Sequence, residues 1–331
     1  MIRRLFLLTL LLVGSAITAS AASEEIIQRH FTAAPGGKVI VDVDFGVVEI
    51  TGGADDKTIG VNARRSVDIA DKAREKEFIA AAPITITEEN NVLTLRAHSD
   101  RKWKWNDSHT RMNAHYSVQV PKNFNADLHT GGGEISVSDL TGHVVSNSAG
   151  GRLKFTRVHG PTDGRTSGGA VELTDCEGTI KIQTAGGHID SMGGNGSLDA
   201  QTAGGQMSVR GFAGRIDISS NGGQLRLDQI TGPLNAKTLG GEINAAISSA
   251  TDVKLETNAG AITVAVPANG GFNVDARSTI GDVSTDLPVN AKHKDRETLV
   301  GSLNEGGKTL FLRTGAGSIH IKAAGAQTAS R

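Results

Sequence analysis

The chain has 331 residues, of which 38% are hydrophobic but only 4% aromatic, with 42 glycines, one cysteine and a formal charge of −1. Such a chain can bury a large core of small aliphatic side chains. It cannot form an intrachain disulfide, and it lacks the basic excess that nucleic-acid binding requires.

The first residues carry Arg3 and Arg4, then an apolar run from Leu5 to Val13, then small residues ending in Ala19-Ser20-Ala21. This is the layout of a cleavable secretory signal over residues 1–21, so the protein is expected to be exported, to the periplasm or the cell surface. No cysteine follows the expected cut, so a lipid anchor there is not expected. No other stretch approaches the ~20 apolar residues of a membrane span, so the mature chain is expected to lack one. Residues 22–36 read as an N-terminal linker, 37–323 as one domain and 324–331 as a disordered tail.

Lys38 to Ile50 reads as two alternating strands about Gly46, a degenerate copy of the pattern described below. Residues 66–82 break that pattern. Ser66 or Asp68 is a possible cap for a short helix through Ala70, Ala73, Phe78 and Ala81, expected to cover one end of the domain. Ile84–Ile86 and Val92–Leu95 flank a corner at Glu88-Glu89-Asn90-Asn91. A polar insertion follows, with Lys102, Trp103, Lys104 and Trp105 close together. Exposed Trp interleaved with basic side chains suits a sugar ring or a partner surface, and plugging the flank of the domain is the alternative. Tyr116 to Pro121 is a further alternating strand, stopped by proline.

From Gly132 a Gly-Gly pair returns every eighteen residues, through 150/151, 168/169, 186/187, 204/205, 222/223 and 240/241. A second glycine recurs within each unit, as Gly142, Gly160, Gly178, Gly196, Gly214 and Gly232. Between these turns the apolar residues alternate, as in Leu153 and Phe155 or Ile180 and Ile182, which means strands with one buried face. One such unit cannot bury its own apolar face and must stack on its neighbours. The expected fold is all-β: a single-stranded parallel β-solenoid (β-helix) with 18-residue coils and a short N-terminal capping helix. The inward set includes Ile135, Val137, Phe155, Leu173, Met207, Phe212 and Ile230.

A hydroxyl also recurs, as Ser148, Thr166, Thr184, Thr202, Ser220 and Thr238. Alternation places this column inward, each hydroxyl donating to the next; an outward threonine array for a repetitive ligand is the other reading. Cys176 takes the position of Leu140, Val158, Phe212 and Ile230, which makes it a core residue. Past Gly241 the register loosens, and Pro288 to Thr298 reads as the largest later loop, carrying Lys292, Lys294 and Arg296. Lys308 to Lys322 is expected to be the coil that closes the domain.

The strand ending in Val120-Pro121, the serial Thr/Ser-x-x-Gly-x-Ile units, and Leu299 to Asn304 followed by Thr314 to Ile321 together resemble the bacterial family named "putative adhesin", an exported β-strand-repeat domain of unknown function. The resemblance covers roughly residues 37–323. It implies a right-handed β-solenoid, an envelope or surface location and no known catalytic activity.

An enzyme on such a fold would group acids on one face of the coils to act on polysaccharide. Asp163, Asp199 and Asp217 share a position, but Lys181 interrupts them. Gly193 to Asp199 resembles a single calcium-binding turn with its aspartate out of phase. His143, His159 and His188 fall at different places in their coils, so no zinc site is read. No catalytic, cofactor or metal residue is nominated. The expected function is a non-catalytic exported scaffold that binds an envelope or surface protein or glycan. The binding candidates are Trp103, Trp105, Lys102, Lys104, Lys292, Lys294 and Arg296. The alternatives are a polysaccharide lyase or hydrolase, and a structural periplasmic module linked to envelope signalling.

Overall fold

The computed structural model describes residues 23–53, 57–69, 71–98 and 111–325. The expected signal peptide, Lys102 to Trp105 and most of the expected tail lie outside these residues. The first part of the chain comprises β1 (Ser23–Thr32), β2 (Gly37–Val43), β3 (Val47–Gly52), β4 (Thr58–Asp68), α1 (Lys72–Ala81), β5 (Thr85–Glu89), β6 (Val92–Ala97) and β7 (Arg111–Val120). The regular array follows as pairs of strands: β8 (Phe124–Thr130) and β9 (Ile135–Ser138), β10 (Val144–Ser148) and β11 (Leu153–Thr156), β12 (Thr162–Thr166) and β13 (Val171–Thr174), β14 (Glu177–Thr184) and β15 (Ile189–Met192). It continues with β16 (Asn195–Thr202) and β17 (Met207–Arg210), β18 (Ala213–Ser220) and β19 (Leu225–Ile230), β20 (Leu234–Thr238) and β21 (Ile243–Ile247), β22 (Val253–Ala259) and β23 (Ile262–Val266). The last strands are β24 (Phe272–Ile280), β25 (Val283–Thr285), β26 (Val289–Lys294), β27 (Thr298–Leu303), β28 (Lys308–Ala316) and β29 (Ile319–Ala323).

Among the described residues the strands form two long sheets, A with fourteen and B with fifteen, and each coil gives one strand to each. In the array the pairing is parallel and joins residues one repeat apart, so Leu153 lies between Ile135 and Val171. The expected inward set is buried throughout, Phe155 and Ile230 completely. Cys176 is buried with it, and burial pushes its thiol pKa up, as a core residue requires.

The corners explain the glycines. At Gly160, φ is +136°, where a side chain is strained, and an added Cβ would lie 2.4 Å from the Gly142 carbonyl oxygen. At Gly151 the conformation is ordinary, but a Cβ would lie 1.6 Å from the Gly133 carbonyl oxygen of the coil before. Backbone therefore packs on backbone there. A third corner was not anticipated: Asp139, Arg157, Asp175, Gly193, Gly211 and Gln229 all take positive φ at one phase of the repeat. Arg157 bridges this column by donating to both carboxylate oxygens of Asp139, at 2.6 and 2.8 Å. Gly193 thus belongs to the turn column, which accounts for its glycine without an ion.

The hydroxyl column is buried, as alternation predicts, but its bonding differs from the expected hydroxyl-to-hydroxyl chain. Thr202 Oγ1 donates to the Gly187 carbonyl at 3.0 Å and accepts the Gly205 N–H at 3.1 Å. Thr166, Thr184, Ser220 and Thr238 repeat this arrangement. Each of these hydroxyls satisfies two corner backbone groups, one from its own coil and one from the coil before, and is itself satisfied by them.

The ends depart from sequence order. Coil β2–β3 sits between coils β6–β7 and β8–β9, and coil β28–β29 sits between β22–β23 and β24–β25. The expected closing coil is therefore interior. Residues 22–36, expected as a linker, contain β1, which pairs antiparallel with β4. The helix cap falls five residues after Ser66 and three after Asp68 because β4 runs on to Asp68; Asp71 caps it by accepting from the Ala73 and Arg74 N–H groups. Phe78 of α1 packs with Val67, Ile69 and Ala82, and against Phe45 and Met112. The outermost strands of the two sheets at this end are β1 and β5, and α1 packs against β4, next to that edge.

Candidate functional site

In each sheet B strand of the array the residue before the buried hydroxyl points outward, and the residue after it opens the corner. This geometry builds a groove along the solenoid, of about 820 Å³. One wall is a ladder of side chains contributed one per coil: His129, Asn147, Arg165, Gln183, Gln201 and Ser219. The floor is the residue after each hydroxyl, and it is small: Gly131, Ala149, Ser167, Ala185, Ala203, then Asn221. Steps along the ladder equal the strand spacing, ~4.8 Å.

The ladder residues hold one another in place. Asn147 Nδ2 lies 3.4 Å from His129 Nδ1, and His129 Nε2 lies 2.9 Å from Asp127 Oδ1. Arg165 Nε donates to Gln183 Oε1 at 3.2 Å, and Gln201 Nε2 donates to Asp199 Oδ1 at 3.3 Å. Partial burial works to raise the Asp127 pKa, but the Lys38 ammonium at 2.7 Å and His129 outweigh it and hold that carboxyl below its ordinary range. Among the described residues, carboxylates line the groove only at its N-terminal end, Asp42 and Asp44, where His98 pairs with Asp44. The wall is thus rich in amides and suited to hydrogen-bonding an extended ligand laid along the axis.

A second cleft of about 490 Å³ opens on the outer face of sheet B. Its rim includes Phe311, whose ring carries the Arg313 guanidinium 4.0 Å from its centroid and the Lys254 ammonium at 5.6 Å.

The basic candidates lie elsewhere. Residues 288–298, expected as a loop, form most of an antiparallel hairpin: β26, with Lys292 and Lys294 exposed, pairs with β27. Arg296 is in the turn and donates to Asp282 at 2.6 Å. None of the three lines the groove or the second cleft. Trp103, Trp105, Lys102 and Lys104 lie outside the described residues. Asp199 and Asp217 are neighbours in adjacent coils, but each has its own partner, Gln201 for the first and Asn235 with Arg215 for the second. Among the described residues no group of three or more His, Cys, Asp or Glu could hold a metal ion. The ladder itself was not nominated, although the sequence carries its signal: from His129 to Lys237 the residue before each hydroxyl is polar and never acidic.

Residues 48–322 match the family model described as Toastrack DUF4097. No curated protein matches the chain. A crystal structure of a "putative adhesin" from Parabacteroides distasonis is similar, with 16% identity and a TM-score of 0.48, covering 72% of this chain and 97% of that one. A "putative adhesin" from Parabacteroides merdae shows 11% identity and a TM-score of 0.38, covering 91% and 97%. A "putative lipid binding protein" from Parabacteroides distasonis shows 12% identity and a TM-score of 0.32, covering 89% and 96%.

Proposed function

The chain belongs to the Toastrack DUF4097 family, and from its corner groove we propose that it is a non-catalytic, exported scaffold that binds an extended envelope or surface component. The observation that carries this reading is the ladder from His129 to Ser219, which offers regularly spaced hydrogen-bonding groups over a floor of small residues. A glycoside hydrolase needs paired acids with room for a sugar between them. In the groove the described carboxylates, Asp42 and Asp44, sit at one end, with Asp42 beside His129, and no acid is paired across the rest of the ladder. Export rests on the charged, apolar and small-residue layout of residues 1–21, and no helix among the described residues is long and apolar enough to cross a membrane.

The test is binding of the purified mature chain to fractionated native envelope and to immobilised cell-wall and capsular glycans. Ala185→Trp with Ala203→Trp fills the groove at two exposed positions and should abolish retention while leaving the melting temperature within a degree or two. Trp103→Ala with Trp105→Ala tests the other binding candidates in the same assay. Equal retention by the groove variant would refute the groove as the binding surface, and turnover of a glycan by the purified protein would refute the non-catalytic reading.

A further inference from the structure

The two ends of the solenoid differ in shape and in charge, and they match one another. At one end β4 and β1 carry sheet A two strands beyond the outermost coil, β6–β7, while β5 carries sheet B one strand beyond it. At the other end sheet A stops with the outermost coil, β24–β25, while β27 and β26 carry sheet B two strands further. One end is stepped towards sheet A and the other towards sheet B. Placed end to end, they interlock to within about one strand spacing, ~4.8 Å.

Register fits as well. Followed through paired residues across sheet B, Glu88 of β5 lies on the level of Leu93, Val39, Val253, Gly301 and finally Ala291 of β26. Lys292 is the next residue, at the bulge. Followed across sheet A, Ile27 of β1 lies on the level of Val283 of β25. A second copy stacked without slippage therefore continues sheet B through β26 and β5, leaves about one strand spacing open between β25 and β1 in sheet A, and sets Glu88 opposite Ala291, next to Lys292, with Glu89 opposite Asn290. Strand direction agrees, because β26 runs with the coils and β5 against them. The new pair in sheet B is antiparallel, like the hairpin at each end.

Charge then selects the partner. The edge strand β26 exposes Lys292, His293 and Lys294, and β5 carries half-buried Glu88 and exposed Glu89. Charged edge strands ordinarily prevent pairing. That protection works between like ends, where Lys would meet Lys or Glu would meet Glu, but opposite signs on the two ends attract. Two of the most exposed large hydrophobic residues also lie at opposite ends: Ile26 on β1, 57% exposed, and Ile280 at the close of β24, 70% exposed. We infer that the protein assembles head to tail with further copies of itself, β26 of one copy pairing with β5 of the next. Such a contact is heterologous and does not close, so it builds rods rather than dimers.

Sedimentation velocity of the purified mature chain over a rising concentration series, with electron microscopy of the same samples, tests this. The expected result is a ladder of species continuing past the dimer, reduced at 1 M salt, and rods with a repeat of about 70 Å, ~15 strand spacings. Lys292→Glu with Lys294→Glu should leave monomers, and so should Glu88→Lys with Glu89→Lys. Mixing these two variants restores opposite charges at every junction and should restore the rods. Glu88→Lys with Glu89→Lys touches neither the groove nor the basic binding candidates, so envelope binding by that monomeric variant separates this inference from the proposed function. A wild type that stays monomeric up to about 1 mM, a species that stops at the dimer, or a mixture that stays monomeric would each overturn the inference.

Discussion

Replacing Thr202 by valine removes a hydroxyl while keeping the volume and the branched shape of the side chain. Thr202 is 5% exposed, and its Oγ1 donates to the Gly187 carbonyl at 3.0 Å while accepting the Gly205 N–H at 3.1 Å. Valine leaves both backbone groups without that partner inside a packed corner. Each buried group so orphaned costs ~1–3 kcal/mol, so the pair should cost about 3 kcal/mol. In a domain of this size that lowers the melting temperature by roughly 5–10 °C. Thr202→Ser separates the hydroxyl from the methyl, because serine already fills the position at Ser148 and Ser220 and makes the same two bonds there. Calorimetry of the three proteins, with amide-resolved hydrogen exchange at Gly205, measures both consequences. A valine variant that melts within 1 °C of wild type, with unchanged exchange at Gly205, would refute the bridging role of the hydroxyl column.

Gly151→Ala should lose at least ~3 kcal/mol or fail to fold, because its Cβ would meet backbone at 1.6 Å; Gly150→Ala, which meets nothing within 4 Å, should stay within ~0.5 kcal/mol in urea unfolding. Burial works to raise the pKa of Glu75, but hydrogen bonds from Lys72, Ser23 and the Ile69 N–H outweigh it and hold the carboxyl at about 2. A folded pKa below the unfolded value means stabilisation that is full above about pH 4.5 and is lost as pH falls towards 2; Glu75→Gln should flatten that acid limb in a pH series of melting curves. Ending the chain at Gly307 removes the interior coil β28–β29 and leaves both β22 and β24 without a partner on one face, so exchange protection should collapse from Val253 to Leu303 rather than fray at one edge.

The array was legible because each element obeys one local rule repeated in phase. Leu153 and Phe155 alternate, Gly151 returns on schedule, and stacking is the one arrangement that buries all coils alike. The partner of each hydroxyl was not legible, since alternation tells which side Thr202 faces but not which atom it meets. The turn column was missed for a different reason. Its positive φ is taken by Asp139, Arg157, Asp175 and Gln229 as well as by Gly193 and Gly211, so no single residue type marks it. The groove ladder had a sequence signature, but reading it requires knowing that an outward row beside a column of small corner residues is concave. The basic candidates were singled out for their composition alone; the paired strand β26 shows that Lys292 and Lys294 belong to an edge.

At the ends the sequence order of coils and their order in space part company, and the corner bonds show why this is permitted. Thr257 donates to Gly241, as the repeat predicts, but Thr314 donates to Gly260 and Ser278 to Gly317. Every bond still runs from a hydroxyl to the corner glycine of the coil beneath, although the chain separation has changed. The joint between coils is therefore local in space and indifferent to connectivity: any coil that presents the hydroxyl and the bare glycine backbone fits any other. Insertion of β28–β29 beneath β24–β25 uses this freedom and gives these two strands neighbours on both sides, so they are tied into the interior of the stack. The same freedom leaves β26 and β5 as the outer strands of sheet B, and the charges on those two strands then decide what can add to the stack.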